Sequence, residues 1–212
     1  MTTFDTVEVE CPNCRSAVTF TVLMSTNFMR QDTDFRRITH GTSPRSLMLS
    51  TCGECGFTGD EEDFGGKVTA EVSELIRTRI APVIFDESVD SPRRWEFAAI
   101  LAEARGFSAE AVGWHYLNGA WCIRDDRSDA TLEEYFRRKA IEKFEEHLAG
   151  GEDLESRPAL TYLVGELYRR VGDQSAAARW FDDAIALADG KPELDWLTTM
   201  ATRQKTAPIE ID

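Results

Sequence analysis

From Lys67 onward, apolar side chains recur mostly at three- and four-residue steps: Val68, Val72, Leu75, Ile76 and Ile80. That spacing stacks them on one face of a helix, and Pro82 sets its expected limit. The segment DESVDSPRR at 86–94 predicts a loop and a helix start, with Ser91 as N-cap and Pro92 in the first turn. Beyond it the periodicity predicts helices over 92–105, 108–124, 131–149, 158–171, 174–188 and 193–204, punctuated by Gly106, residues 125–130, Gly150, Gly151, Gly172 and Gly190. The 108–124 stretch is apolar nearly all round, through Val112, Trp114, Tyr116, Leu117, Ala120, Trp121 and Ile123, and is expected to lie buried between neighbours. The last helix carries Leu194, Trp196, Leu197, Met200 and Ala201 and is expected to cover the open end of a helical stack. Residues 1–66 read differently. They hold six of the 14 glycines and short β-type runs, Ala17–Leu23 and Ser46–Ser50, which predict strands and turns.

Within the helical half, residues 158–191 resemble a tetratricopeptide repeat, in which small and aromatic residues let two antiparallel helices pack closely. Gly165 and Tyr168 take first-helix positions, Gly172 and Asp173 the turn, and Ala177, Phe181 and Ala184 the second helix. Thr161 stands where the family has tryptophan, a departure that the neighbouring Tyr162 is expected to offset. A more diverged copy lies over 111–149, matched by Trp114, Leu117, Trp121, Ala140 and Phe144. Its extra residues are expected in longer loops near Asp125–Thr131 and Gly150–Asp153. Core packing is the commonest use of each of these aromatics, whereas the array as a whole can form a concave surface for a peptide or protein partner.

The chemistry on offer is concentrated in CPNCR at 11–15 and CGECG at 52–56. Two Cys-x-x-Cys units can aim four thiolates at one ion, so Cys11, Cys14, Cys52 and Cys55 are the expected metal ligands, with zinc ahead of iron. The 37 residues between the pairs, 15–51, exceed the spacing of a compact ribbon and imply an extra hairpin or loop. Pro12 stiffens the first turn and Gly53 and Gly56 free the second, while Arg15 stands where the second turn has Gly56. Four thiolates leave no open position for water, so the metal is expected to be structural. A thioredoxin-like redox site would need one pair in a βαβ setting, which the pattern lacks. His40, between the pairs, is an alternative ligand. Cys122 is expected to be a buried core thiol, and His115 and His147 to be packing or surface residues. No catalytic residue stands out.

The fold expected from these readings is α+β: a small β-rich zinc-ribbon-like module over 1–66, a connecting helix and loop over 67–91, and an all-α tetratricopeptide-like helical repeat array over 92–212. A hydrophobic fraction of 42% suffices for a core, while a net charge of −14 argues against nucleic acid and anionic membranes as partners. A basic partner segment is favoured on charge alone. The first ten residues lack a signal-peptide pattern and no stretch approaches the length of a bilayer span, so the expected setting is the cytoplasm, where paired cysteines are more often ligands than disulfides.

Two acidic stretches are left over. Asp32 and Asp34 in QDTDFRR can form a carboxylate pair for acid/base work, but a solvated turn anchored by Phe35 is the favoured reading. DEEDF at 60–64 can cap the following helix or hold a basic partner. In order, CPNC, DTDF, CGECGFTGDEEDF and the helical repeat resemble an uncharacterised prokaryotic family, domain of unknown function 2225, over roughly residues 7–190. The resemblance implies a cysteine-pair metal module ahead of tetratricopeptide-like helices and supplies no catalytic residues. The expected function is therefore a zinc-containing interaction or scaffold protein. The alternatives are an enzyme or thiol redox sensor using Asp32, Asp34 or the thiolates, and a nucleic-acid-binding zinc ribbon using a basic patch of Arg30, Arg36, Arg37 and Arg45.

Overall fold

A computed structural model describes residues 2–41, 43–86, 90–126, 129–151 and 155–210. Among these the chain is α+β, with short antiparallel strands followed by helices. Residues 87–89, 127–128 and 152–154, all within segments where the sequence predicts loops, lie outside the described residues.

Three hairpins make up the strand region. Strands β1 (Thr3–Glu10) and β2 (Ala17–Ser25) pair in the register Val7↔Phe20 and Val9↔Val18, so alternate apolar residues share one face. Strands β3 (Phe28–Gln31) and β4 (Arg37–Thr39) form the second hairpin, and β5 (Ser50–Thr51) and β6 (Thr58–Gly59) the third. The run Ser46–Ser50 is thus not one strand. Pro44–Leu47 winds into a 3-10 turn started by Pro44 and capped by Ser43, and only Ser50–Thr51 pairs. Asp60 and Asp63 form a reciprocal capping box on the one-turn helix α1 (Glu61–Phe64). DEEDF therefore serves a helix of its own.

Helix α2 (Ala70–Leu75) continues through a π turn, Ile76–Ile80, into α3 (Ala81–Asp86). Pro82 does not end the helix, as the sequence suggested. A proline ring clashes with the carbonyl four residues earlier and brings no N–H to it, and the widened π turn immediately before Pro82 accommodates both defects. Helix α4 (Ser91–Ala104) is capped by Asp90, which accepts from the Arg93 N–H at 3.0 Å, rather than by Ser91. Ser91 turns instead to the Ser46 carbonyl.

The remaining helices are α5 (Ala109–Asp126), α6 (Ala130–Ala149), α7 (Arg157–Arg170), α8 (Gln174–Ala188) and α9 (Asp195–Thr206). Of the residues expected to lengthen the loop at 125–131, Asp125 and Asp126 belong to α5 and Ala130 and Thr131 to α6, which run to 18 and 20 residues, and Asp129 caps α6. Glycines set how closely these helices approach. A Cβ on Gly165 would sit 2.9 Å from the Phe181 ring, and one on Gly113 would sit 2.6 Å from Phe144. Tyr162 is fully buried and meets Phe181 with ring centroids 5.5 Å apart, whereas Thr161 lines a separate cavity with Trp180 and Leu148.

Two large buried clusters flank the hairpins, with smaller ones between α7, α8 and α9 and around Trp95 and Cys122. One joins Cys11, Cys52, Val18, Phe20, Phe57 and Phe64 to Val72, Ile76 and Ile80 and to Phe97 and Leu101 of α4. The other runs from α4 through α7, and Phe35, from the tip of the second hairpin, packs against it.

Candidate metal centre and the buried Asp32–Asp34 turn

Each cysteine pair forms the turn of a hairpin. The Cys11 N–H donates to the Ser16 carbonyl at 2.8 Å and the Arg15 N–H to the Cys11 carbonyl at 2.9 Å. The second turn repeats this, Cys52 N–H to Phe57 O at 2.8 Å and Gly56 N–H to Cys52 O at 2.8 Å. Closing both turns requires a left-handed residue at the fifth position. Gly56 takes φ +89° without strain, whereas Arg15 is forced to φ +69°. The second turn lies on the α2–α3 helix, with Gly56 facing Ile80 and Ile84. The first is tied there by Ser73, whose hydroxyl donates to Asn13 Oδ1 at 2.6 Å.

Together the turns bring the Sγ atoms of Cys11, Cys14, Cys52 and Cys55 within 4.8 Å of one another. Cys11 and Cys55 sulfurs are 3.7 Å apart and those of Cys14 and Cys52 3.5 Å. Tetrahedral thiolates about 2.3 Å from one ion would be separated by about 3.8 Å, and a disulfide by about 2.05 Å. The set therefore fits a four-sulfur metal cage, and all four thiols are unbridged. Burial pushes the Cys11 and Cys55 thiols up from their ordinary range. Burial acts against the Cys14 thiolate too, but hydrogen bonds from Ser16 and Cys52 outweigh it and bring that thiol down to about 7. His40 is exposed and stands outside the cluster. Cys122 is buried, with burial pushing its thiol up to about 12.

The turn of the middle hairpin does something different. Asp32, Thr33, Asp34 and Phe35 join β3 to β4, closed by Asp32 N–H to Arg36 O at 2.8 Å and Phe35 N–H to Asp32 O at 3.0 Å. Asp32 and Asp34 are 1% and 0% exposed, so the expected solvated turn is instead inserted among the helices. Buried carboxylates require paired donors, and α5, α6 and α7 supply them. Asp34 Oδ2 accepts from Trp121 Nε1 at 3.0 Å and from Arg137 Nη1 at 3.2 Å, with Arg170 Nη1 3.6 Å away. Arg170 Nη2 lies 2.9 Å from Asp32 Oδ1, and Arg36 from the turn itself reaches Asp32 Oδ2 at 3.3 Å.

The residue between the carboxylates is held as closely. Tyr162 donates its hydroxyl to the Thr33 carbonyl at 2.9 Å, and Thr33 Oγ1 donates to Glu166 Oε1 at 2.7 Å. Phe35, at φ +67°, contacts the rings of Tyr162 and Trp196. Burial disfavours the Asp34 charge, but Arg170 and Arg137, with the Trp121 and Arg36 N–H groups, more than offset this and hold its carboxyl below the usual range. An acid/base role for the pair would need a face open to substrate, whereas both carboxylates are enclosed by guanidinium groups.

The four arginines of the supposed basic patch are not presented together. Arg36 and Arg45 turn inward to share Asp125, at 2.6 and 2.8 Å, and Arg37 lies over the Phe28 ring. Sequence reasoning missed Arg137, Arg170, Glu166 and Asp125. Arg137 left one signal: it stands three and four residues before Ala140 and Ile141, on the apolar face of α6.

Among the described residues no helix is long and apolar enough to cross a membrane. No curated protein and no solved structure matches the chain. The model of a family described as uncharacterized protein conserved in bacteria, domain of unknown function 2225, matches residues 4–207, and the chain belongs to that family.

Proposed function

We propose that this is a zinc-containing interaction protein, in which the metal has a structural role and a tetratricopeptide-like helical array holds a peptide or protein segment. The observation that carries this reading is the middle hairpin. Its turn lies against α5, α6 and α7 as a bound peptide would, with side chains and backbone both recognised. The cysteine cage serves that arrangement by fixing the chain on both sides of it, at Cys14 and at Cys52. Zinc is favoured over iron because a closed four-thiolate site is its common structural form. The close passages of Gly165 on Phe181 and Gly113 on Phe144 support reading α7–α8 and α5–α6 as two repeat-like pairs. Unbridged thiols suit a reducing, cytoplasmic setting.

The test has two arms. Elemental analysis of protein purified from its native host should give one zinc per chain, with chelation unfolding the protein and no thiol reactivity before chelation. A dithiol that cycles between oxidised and reduced forms in the folded protein would sink the structural-metal reading. Affinity purification with mass spectrometry should recover partners that are lost from a variant unfolded by chelation and retained by the intact chain. Failure to recover any such partner would count against the interaction reading.

A further inference from the structure

Four consecutive residues of the middle hairpin are read by the helices one at a time. Asp32 is met by Arg170, the Thr33 carbonyl by Tyr162 and its hydroxyl by Glu166. Asp34 is met by Trp121 and Arg137, and Phe35 by the rings of Tyr162 and Trp196. These groups come from four different helices, α5, α6, α7 and α9, and Arg137 and Arg170 are both 3% exposed at the side chain. Two guanidinium groups, an indole N–H and a phenol aimed at one short segment make a carboxylate-selective seat.

We propose that the helical half is a receptor for acidic segments of the form Asp-x-Asp-aromatic, and that the protein's own Asp32–Phe35 turn is its ligand in cis. A segment of the same chemistry on another protein is the ligand in trans, admitted when the turn withdraws. This reverses the partner that net charge suggests: in a chain of charge −14 the acidic segment is met by Arg137 and Arg170, which Glu133 and Glu166 on their own helices hold in place from behind. The inference rests on reading the helices as a peptide-holding surface and adds the ligand class. The cis turn is present at an effective concentration on the order of millimolar, so it outcompetes a trans peptide in the wild-type chain.

The test uses the full chain and a labelled peptide of residues 29–38, MRQDTDFRRI. Asp34→Lys places a like charge against Arg137 and Arg170 and expels the turn, while Asp34→Asn keeps its shape and weakens its hold. Fluorescence anisotropy should show the peptide binding the Lys variant at least about 100-fold more tightly than wild type, with the Asn variant intermediate. The peptide should also raise the thermal midpoint of both variants, which reads the same binding where a variant is poorly folded alone. A peptide with both aspartates changed to asparagine should do neither. The proposal is overturned if neither variant gains binding or a raised midpoint at millimolar peptide, or if the asparagine peptide acts equally well. Partners recovered from the host that bind without this seat would overturn the inference and leave the interaction reading standing. Peptide binding by a chain that recovers no host partner would do the reverse.

Discussion

The segment from Arg15 to Thr51 is held at two places by two unlike devices. At its ends four sulfurs from two similar hairpin turns converge within 4.8 Å, and at its middle two carboxylates are enclosed by arginines from separate helices. The first device is local: each turn supplies two sulfurs through backbone hydrogen bonds made within six residues. The second is mainly tertiary: Arg36 pairs with Asp32 inside the turn, but Asp34 finds Arg137 and Arg170 more than a hundred residues away. On the proposed reading the first draws its strength from an ion taken from outside, and the second draws on desolvated charges already in the chain. Chelation should therefore discriminate between them, and substitution should rank them.

The largest effect is expected at the cysteines. Structural zinc contributes about 10–16 kcal/mol of binding free energy in small zinc-dependent domains. Cys52→Ser removes a fully buried ligand, and the variant should lose stoichiometric metal and fall further in thermal midpoint than any other single substitution considered. Elemental analysis and thermal melting check this together. A variant that lost the metal but kept its midpoint would place the whole weight of the fold on the charged turn.

Asp34→Asn should rank second. Removing one partner of a buried ion pair leaves the others uncompensated and costs about 3–5 kcal/mol, measured by denaturant unfolding with metal saturating. Its pH dependence identifies the cause. The folded-state pKa of Asp34 is lowered, so its contribution is complete above the unfolded value of about 3.9 and is lost as the pH falls through the lower folded value. The stability gap between wild type and Asp34→Asn should be constant near neutrality and narrow below about pH 4. A gap that stayed constant down to pH 2 would mean that the carboxylate charge is not what the arginines hold.

The contrast between the devices also explains what the sequence made legible. Cys11, Cys14, Cys52 and Cys55 were readable because their chemistry is written in adjacent residues, and helix α8 was readable because its apolar residues recur on one stripe. The fate of Asp32 and Asp34 was not. An acidic, glycine-free turn beside arginines has the composition of a solvated loop, and only the distant Arg137 and Arg170 reverse that. Glu166 was hidden in the same way, because its spacing to Arg169 and Arg170 is that of an ordinary surface pair. Pro82 misled for a local reason: a π turn absorbs the clash that usually stops a helix.

The smallest effects sharpen the comparison within the cysteine device, where one backbone position is filled by Gly56 in one turn and by Arg15 in the other. Gly56→Ala should destabilise by about 2 kcal/mol, because a left-handed conformation costs a side chain about 1–2 kcal/mol and its Cβ would lie 2.6 Å from Ile84 Cδ1. Arg15→Gly should act in the opposite direction. Arg15 already bears the left-handed strain at φ +69°, and its pair with Glu10 is exposed at both ends, 81% and 61%. Such a pair is worth at most about 1 kcal/mol and usually less. Glycine relieves the strain but adds freedom to the unfolded chain, at about 0.5–1 kcal/mol, so the net gain should be a few tenths to about 1 kcal/mol. Denaturant midpoints at equal metal occupancy read the sign. A loss in place of a gain would show that Arg15 has a partner worth more than the backbone strain it bears, and that the two turns are alike in shape but not in what holds them.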